Sequence, residues 1–194
     1  MPDDATFPQL VALACHDLRT PLATVYGFAR TLASSELEGA PARYVDVIQE
    51  ASEQIRELLD ELTLVTRVEL GRYDPAIETA DSLELAEEAA GQLEEQRLSV
   101  TGEGAPVRVD REATAHALAR LARAAARHTG VDEVRYVVRG AELELSPVGE
   151  KAGPVLVGEE LKELGAVAAA TLVRALGGSL ALEKDRLRIV LPTG

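Results

Sequence analysis

The sequence predicts an α+β fold in which a helical hairpin is followed by a sheet with helices on one side. Between residues 6 and 67, apolar residues recur at steps of three and four, as on the buried face of a helix. From residue 76 onwards, short runs typical of strands alternate with helical runs. Gly71 and Pro75 lie between the helical pattern and the mixed pattern, so we expect the chain to divide into two domains there.

The first domain, expected at residues 1–70, is predicted to contain two helices separated by a break at residues 34–41. The first helix is expected to bury Phe7, Val11, Ala14, Leu18, Leu22, Val25, Ala29 and Leu32. The second helix repeats its apolar residues as heptads at Tyr44, Ile48, Ala51, Ile55, Leu58, Leu62 and Val65. Two antiparallel helices cannot bury both stripes alone, so packing predicts a homodimer closed as a four-helix bundle.

The second domain, expected at residues 76–194, is predicted to be a two-layer sandwich. Asp81, with Glu84 three residues on, has the spacing of a helix N-cap, and Asp110 is expected to cap a helix that runs to about His128. A further helix is expected over Glu159–Leu176, before Gly177 and Gly178. Strands are expected at 97–101 and 107–109, with hairpins of 133–138 with 142–146 and of 179–183 with 187–190.

Composition excludes several function classes. The net charge is −13, which argues against nucleic acid or an anionic membrane as the main partner. The longest apolar run, residues 166–173, is much shorter than the ~20 residues that span a bilayer. The single cysteine excludes an internal disulfide and, with no N-terminal signal pattern, predicts a cytoplasmic protein. The three histidines lie apart from cysteines and clustered carboxylates, so no metal site is expected.

The most informative segment is His16-Asp17-Leu18-Arg19-Thr20-Pro21-Leu22, within the first helix. At about 100° per residue, His16 lies opposite the apolar stripe, so its imidazole faces solvent or a partner. Thr20 lies one turn further along the same face, and Pro21 removes one helical hydrogen bond.

This segment resembles the phospho-acceptor box in the dimerisation and histidine-phosphotransfer domain of sensor histidine kinases. The resemblance implies that His16 accepts a phosphoryl group and that Asp17 orients the imidazole or takes its proton. It also implies that Arg19 contacts the phosphoryl group or an acidic partner surface, and that Thr20 positions water for dephosphorylation.

The second half resembles the ATP-binding (Bergerat) domain of the same family, but it departs from the family at every nucleotide feature. The two asparagines that hold Mg²⁺ and phosphate correspond to Arg120 and Ala124. The adenine-reading aspartate has no counterpart in residues 145–150, and the glycine-rich box is reduced to residues 163–166. The chain contains no asparagine at all, so we expect a degenerate domain that binds no ATP and no other cofactor.

An intact acceptor histidine with no working nucleotide site predicts a histidine phosphotransferase of a two-component phosphorelay. It would exchange phosphate with response-regulator receiver domains, and Mg²⁺ would arrive with the receiver. Two alternatives remain open: an ATP-dependent histidine kinase with a divergent site, and a non-catalytic pseudokinase that scaffolds a receiver.

Overall fold

The computed structural model describes residues 6–34, 41–93 and 97–193. The chain folds as two compact units, Met1–Thr63 and Leu64–Gly194, which are described separately below. This architecture is the predicted one, a helical hairpin followed by a mixed sheet domain. In the described residues, no helix is both long and apolar enough to cross a bilayer.

The hairpin consists of α1 (Thr6–Ser34) and α2 (Pro41–Glu69). The rings of Phe28 and Tyr44 pack against each other with centroids 5.3 Å apart, next to the connection between the helices. Most of that predicted connection, residues 35–40, lies outside the described residues. On α2 every residue of the predicted heptad stripe is buried or half-buried, as expected from its spacing.

The buried face of α1 differs in part from the prediction. Leu10, Ala14 and Pro21 are buried, whereas Val11 and Leu22 are 39% and 59% exposed. Ala29 is also exposed, and the side chain of Phe7 lies outside the described part of the chain. The apolar surface of α1 is wider than its contact with α2, so packing within a single hairpin leaves part of that surface exposed.

In the described residues, the second unit contains seven strands and four helices after α2. The first five are β1 (Ile77–Asp81), α3 (Ser82–Gly91), β2 (Arg97–Gly104), β3 (Pro106–Asp110) and α4 (Arg111–Thr129). The others are β4 (Glu133–Gly140), β5 (Glu142–Ser146), α5 (Gly153–Leu156), α6 (Leu164–Ala175), β6 (Ser179–Glu183) and β7 (Arg186–Val190).

The strands form two sheets. β1 and β3 pair antiparallel as a small ribbon, and the main sheet has the order β2-β4-β5-β7-β6, with only the β2–β4 pair parallel. β1 was not predicted from the sequence. Its partner β3 ends at Asp110, which is the predicted N-cap of α4. The Asp110 side chain accepts a hydrogen bond from the Ala113 backbone N–H.

One face of the main sheet supports the core. Alternate residues of β4, β5 and β7 are buried beneath the helices: Val134, Tyr136, Val138, Leu143, Leu145, Leu187 and Ile189. The Tyr136 hydroxyl donates to the Leu118 carbonyl of α4, which ties the sheet to the helical layer. The opposite face carries charges, where Arg139 and Arg186 both pair with Glu144.

The predicted helix over Glu159–Leu176 is wrong at its start, because α6 begins at Leu164 and the short helix α5 precedes it. Gly158 has a φ of 75°, in the left-handed region, and Glu163 is extended. These two residues interrupt the helical backbone on either side of residues 159–162.

Candidate functional site

His16 stands on the outer face of α1, with its side chain 78% exposed. The buried residues Ala14 and Pro21 each lie about 140–160° away around the helix, from a rotation of about 100° per residue. The imidazole is therefore open to an incoming macromolecule, as its spacing predicted.

The Asp17 side chain contacts the His16 ring. His16 Nδ1 lies 3.1 Å from Asp17 Oδ1, and the Asp17 side chain is only 23% exposed. A carboxylate oxygen accepts a hydrogen bond, so this contact favours the tautomer that carries its proton on Nδ1. In that tautomer the lone pair of the ring is on Nε2.

Arg19 and Thr20 are also exposed on α1, and Thr20 lies one turn after His16 on the same face. Pro21 has no backbone N–H, so the α-helical hydrogen bond from residue 21 to the Asp17 carbonyl is absent. Thr24 Oγ1 donates to the Thr20 carbonyl at 3.1 Å. All four predicted site residues therefore lie within one turn and a half of a single helix.

In the second unit, the positions expected to hold nucleotide ligands lie on α4. Ala124 is fully buried and Arg120 is half-buried. α4 packs against α5 and α6, and the segment after β5 contributes apolar side chains to the same core: Val148, Ala152, Val155, Leu156 and Val157. These side chains are at most 7% exposed, so this segment packs as part of the core and does not form an open loop.

The N-terminus of α6 carries a carboxylate. Glu163 occupies the N-cap position, and its side chain pairs with His128 Nε2 at 2.9 Å and Arg127 Nη1 at 3.4 Å. A helix N-terminus attracts anions, and here the chain's own glutamate stands beside it. Sequence reasoning missed this cluster, because 35 residues separate His128 from Glu163 and no local pattern connects them.

Comparisons with known proteins agree with this geometry. Residues 9–71 match the His Kinase A (phospho-acceptor) domain family. Sensor histidine kinase YvrG of Bacillus subtilis (strain 168) is 33% identical over 67 residues, which are 33% of this chain and only 12% of that relative.

Solved structures extend the likeness to both units. Histidine kinase AdeS of Acinetobacter baumannii superposes with a TM-score of 0.70 at 16% identity, covering 92% of this chain and 98% of that one. A bacterial phosphotransferase superposes with a TM-score of 0.51 at 11% identity, covering 97% of both chains. Residues 9–71 are thus similar in sequence to phospho-acceptor domains, and the two units resemble the phospho-acceptor and ATPase domains of histidine kinases in fold.

Proposed function

We propose that this chain is a histidine phosphotransferase of a two-component phosphorelay, and that it works without ATP. The observation that carries the proposal is the contrast between the two units. The His16 imidazole is 78% exposed, whereas Ala124, which corresponds by resemblance to a ligand asparagine of the family, is fully buried and has no side-chain oxygen. The fold likeness to a bacterial phosphotransferase supports the same reading.

In the proposed reaction, the lone pair of His16 Nε2 attacks the phosphorus of a receiver's aspartyl phosphate. The P–N bond forms as the P–O bond breaks, and the receiver's carboxylate leaves with the electron pair. The imidazole gains positive charge, which spreads to Nδ1–H and is stabilised by the hydrogen bond to Asp17. The reverse step passes the phosphoryl group to a second receiver.

The remaining site residues have supporting roles in this proposal. Arg19 contacts the phosphoryl oxygens or the acidic receiver. Thr20 positions the water that dephosphorylates the partner. Mg²⁺ enters with the receiver, so this chain needs no metal ligands of its own. The reaction takes place in the cytoplasm.

A homodimer completes the proposal. Val11, Leu22 and Tyr26 on α1 and Val45 and Leu59 on α2 are large apolar side chains that the single hairpin leaves exposed. A second hairpin would cover them in a four-helix bundle. We expect light scattering to give about twice the chain mass of 20.7 kDa. Leu22→Glu should shift the mass towards the monomer, whereas the exposed α2 variant Gln54→Glu should remain dimeric.

The kinase alternative is supported by the likeness to YvrG and AdeS, and a labelling experiment separates it from the relay. The chain is incubated either with γ-labelled ATP and Mg²⁺ or with receiver domains pre-labelled on aspartate. We expect the chain to take label from the receivers and none from ATP. This label should be lost in His16→Gln and retained in His128→Gln. Label from ATP would establish a kinase, and receiver binding without transfer would establish a scaffold.

A further inference from the structure

Residues 158–163, here called the strap, join α5 to α6 along the surface of the second unit. Glu159, Glu160 and Lys162 are exposed, and none of the strap residues belongs to the hydrophobic core of the described residues. The chain on either side is buried, since Val157 is 7% exposed and the first residues of α6 are fully buried. Apolar burial therefore does little to hold the strap, and its position depends on polar contacts.

The beginning of the strap is held by Arg174 of α6. Arg174 Nη2 donates to the Val157 carbonyl at 2.6 Å. Gly158 follows, and a Cβ placed on it would lie 3.6 Å from Arg174 Nη1, so the guanidinium lies directly against the backbone there. The next two backbone N–H groups both donate to the Pro154 carbonyl, at 2.9 and 3.0 Å. This end of the strap is therefore tied to both α5 and α6.

The other end of the strap is held by Glu163, which contacts the end of α4. Its carboxylate lies 2.9 Å from His128 Nε2 and 3.4 Å from Arg127 Nη1. The Glu163 side chain is 15% exposed, whereas that of Arg127 is 60% exposed. As the N-cap residue of α6, Glu163 also places its negative charge near the positive end of that helix. Three favourable interactions thus depend on one carboxylate.

The two ends of the strap differ in how much they depend on opposite charges. Arg174 bonds to a neutral carbonyl, whereas Glu163 pairs with side chains of which one is largely exposed to solvent. Between the two ends, the Lys162 N–H donates to the Glu160 carbonyl, and the two side chains pair with each other. These contacts stay within the strap, so they do not attach it to α4 or α6. The Glu163 end can therefore open while the Arg174 end remains attached.

We propose that the strap is a conformational device that opens at its Glu163 end and, when closed, covers the start of α6. Glu163 keeps it closed through His128 and Arg127, and Arg174 keeps the other end in place. Opening uncovers the backbone N–H groups of Leu164 and Gly165, which are fully buried in the closed structure and have no partner within the helix. This device belongs to the second unit and does not depend on phosphoryl transfer at His16.

Native-state hydrogen exchange of the full chain, resolved to single amides, tests the strap. Glu163→Gln keeps the size of the side chain and removes its charge, so it should lower the protection of amides 162–167 about tenfold. Glu160→Gln is the matched control, because the same change within the strap loses only the pair with Lys162. Arg174→Met should instead lower the protection of amides 158–160. Protection in β4 should be the same in all these variants.

Added salt screens the exposed Arg127, so it should lower the protection of amides 162–167 in the unmodified chain and have less effect in Glu163→Gln. Arg127→Gln removes only the more exposed partner and should give the same local change with a smaller magnitude. Equal protection of amides 162–167 in Glu163→Gln and Glu160→Gln would overturn the proposal. A loss of protection that extends equally into β4 in both Glu163→Gln and Arg127→Gln would also overturn it, because the contact would then stabilise the whole unit.

Discussion

His16 and Asp17 combine an exposed imidazole with a partly buried carboxylate. The imidazole is 78% exposed, while the Asp17 side chain that holds it is 23% exposed. In the proposed mechanism, the hydrogen bond to the half-buried carboxylate limits rotation of the ring and directs Nε2 towards the partner. In the same proposal, the carboxylate favours the positive charge that forms during transfer.

Asp17→Asn tests this arrangement. The amide removes the negative charge and can present its NH₂ group to Nδ1, which stabilises the wrong tautomer. We expect phosphoryl acceptance from a labelled receiver to slow by roughly 10²-fold, judged by rapid-quench single-turnover measurements. Asp46→Asn, the same change at an exposed site on α2, should leave the rate unaltered. A normal rate in Asp17→Asn would remove Asp17 from the proposed mechanism.

At the scale of elements, Asp110 joins three segments of the second unit. One carboxylate oxygen caps α4 through the Ala113 N–H at 3.2 Å. The other accepts from the Tyr73 hydroxyl at 3.1 Å and the Ala76 N–H at 3.2 Å. Burial, followed by the charge of Asp110, raises the pKa of Tyr73 well above its usual range, so the hydroxyl stays a donor. The segment before β1 is thereby fixed to the start of α4.

Asp110→Ala should therefore lower the free energy of unfolding of the second unit by about 2–3 kcal/mol, as a lost cap and two lost bonds to a charged group. Urea denaturation followed by circular dichroism measures this loss. Asp132→Ala, at an exposed position after α4, is the control and should change stability by less than about 0.5 kcal/mol. An unchanged midpoint for Asp110→Ala would show that the three contacts contribute nothing.

Tyr136 connects β4 to α4. Its ionisation makes the free energy of unfolding depend on pH in the alkaline range. Burial raises the pKa of Tyr136 far above its usual range. Since the folded state holds this proton more tightly than the unfolded state, its stabilisation is complete below about pH 10 and falls as pH rises above that value. Each further pH unit costs about 1.4 kcal/mol.

Tyr136→Phe should thus be less stable than the unmodified chain by about 1 kcal/mol at pH 7, because the bond to the Leu118 carbonyl is lost. Near pH 11 the two chains should be equally stable. Only the unmodified chain loses stability there, because its unfolded state ionises at Tyr136. Denaturation at a series of pH values gives the two curves, with Tyr44→Phe, which keeps the ring contact with Phe28, as control. Parallel curves over this range would contradict the expected role of Tyr136.

At the scale of the whole molecule, the two units carry different parts of the proposed function. The hairpin carries the exposed His16, and the second unit has an ATPase-like fold whose helical layer is packed with alanine and other apolar side chains. Glu163 supplies an internal anion at the start of α6.

Thermal unfolding with nucleotide tests this division. A ligand that binds with a dissociation constant of about 1 mM, added at about 10 mM, would stabilise by roughly 1.4 kcal/mol and raise the midpoint by several degrees. We expect ATP with Mg²⁺ to leave the unfolding midpoint of the second unit unchanged. Stabilisation by ATP with Mg²⁺, and none by an equal concentration of GTP, would support the kinase alternative.

Local pattern was enough for the features that depend on a few consecutive residues. The spacing of α2 predicted its buried heptad stripe, because helical period alone places those side chains on one face. Asp81 and Asp110 were predicted as caps, since a cap needs only residues within one turn, and both accept the expected backbone hydrogen bonds. The segment from His16 to Leu22 predicted a phospho-acceptor domain, and residues 9–71 match that family.

Only the tertiary structure decided which apolar surface each element covers and which distant charges meet. The exposure of Leu22, the start of α6 at Leu164 and the pairing of Glu163 with His128 all depend on neighbours far away in sequence. Local propensity carries no information on such contacts, because their free energy comes from packing and ion pairing between elements. The sequence by itself thus determined an exposed histidine on a helical hairpin, while the tertiary structure decided how the ATPase-like unit is filled.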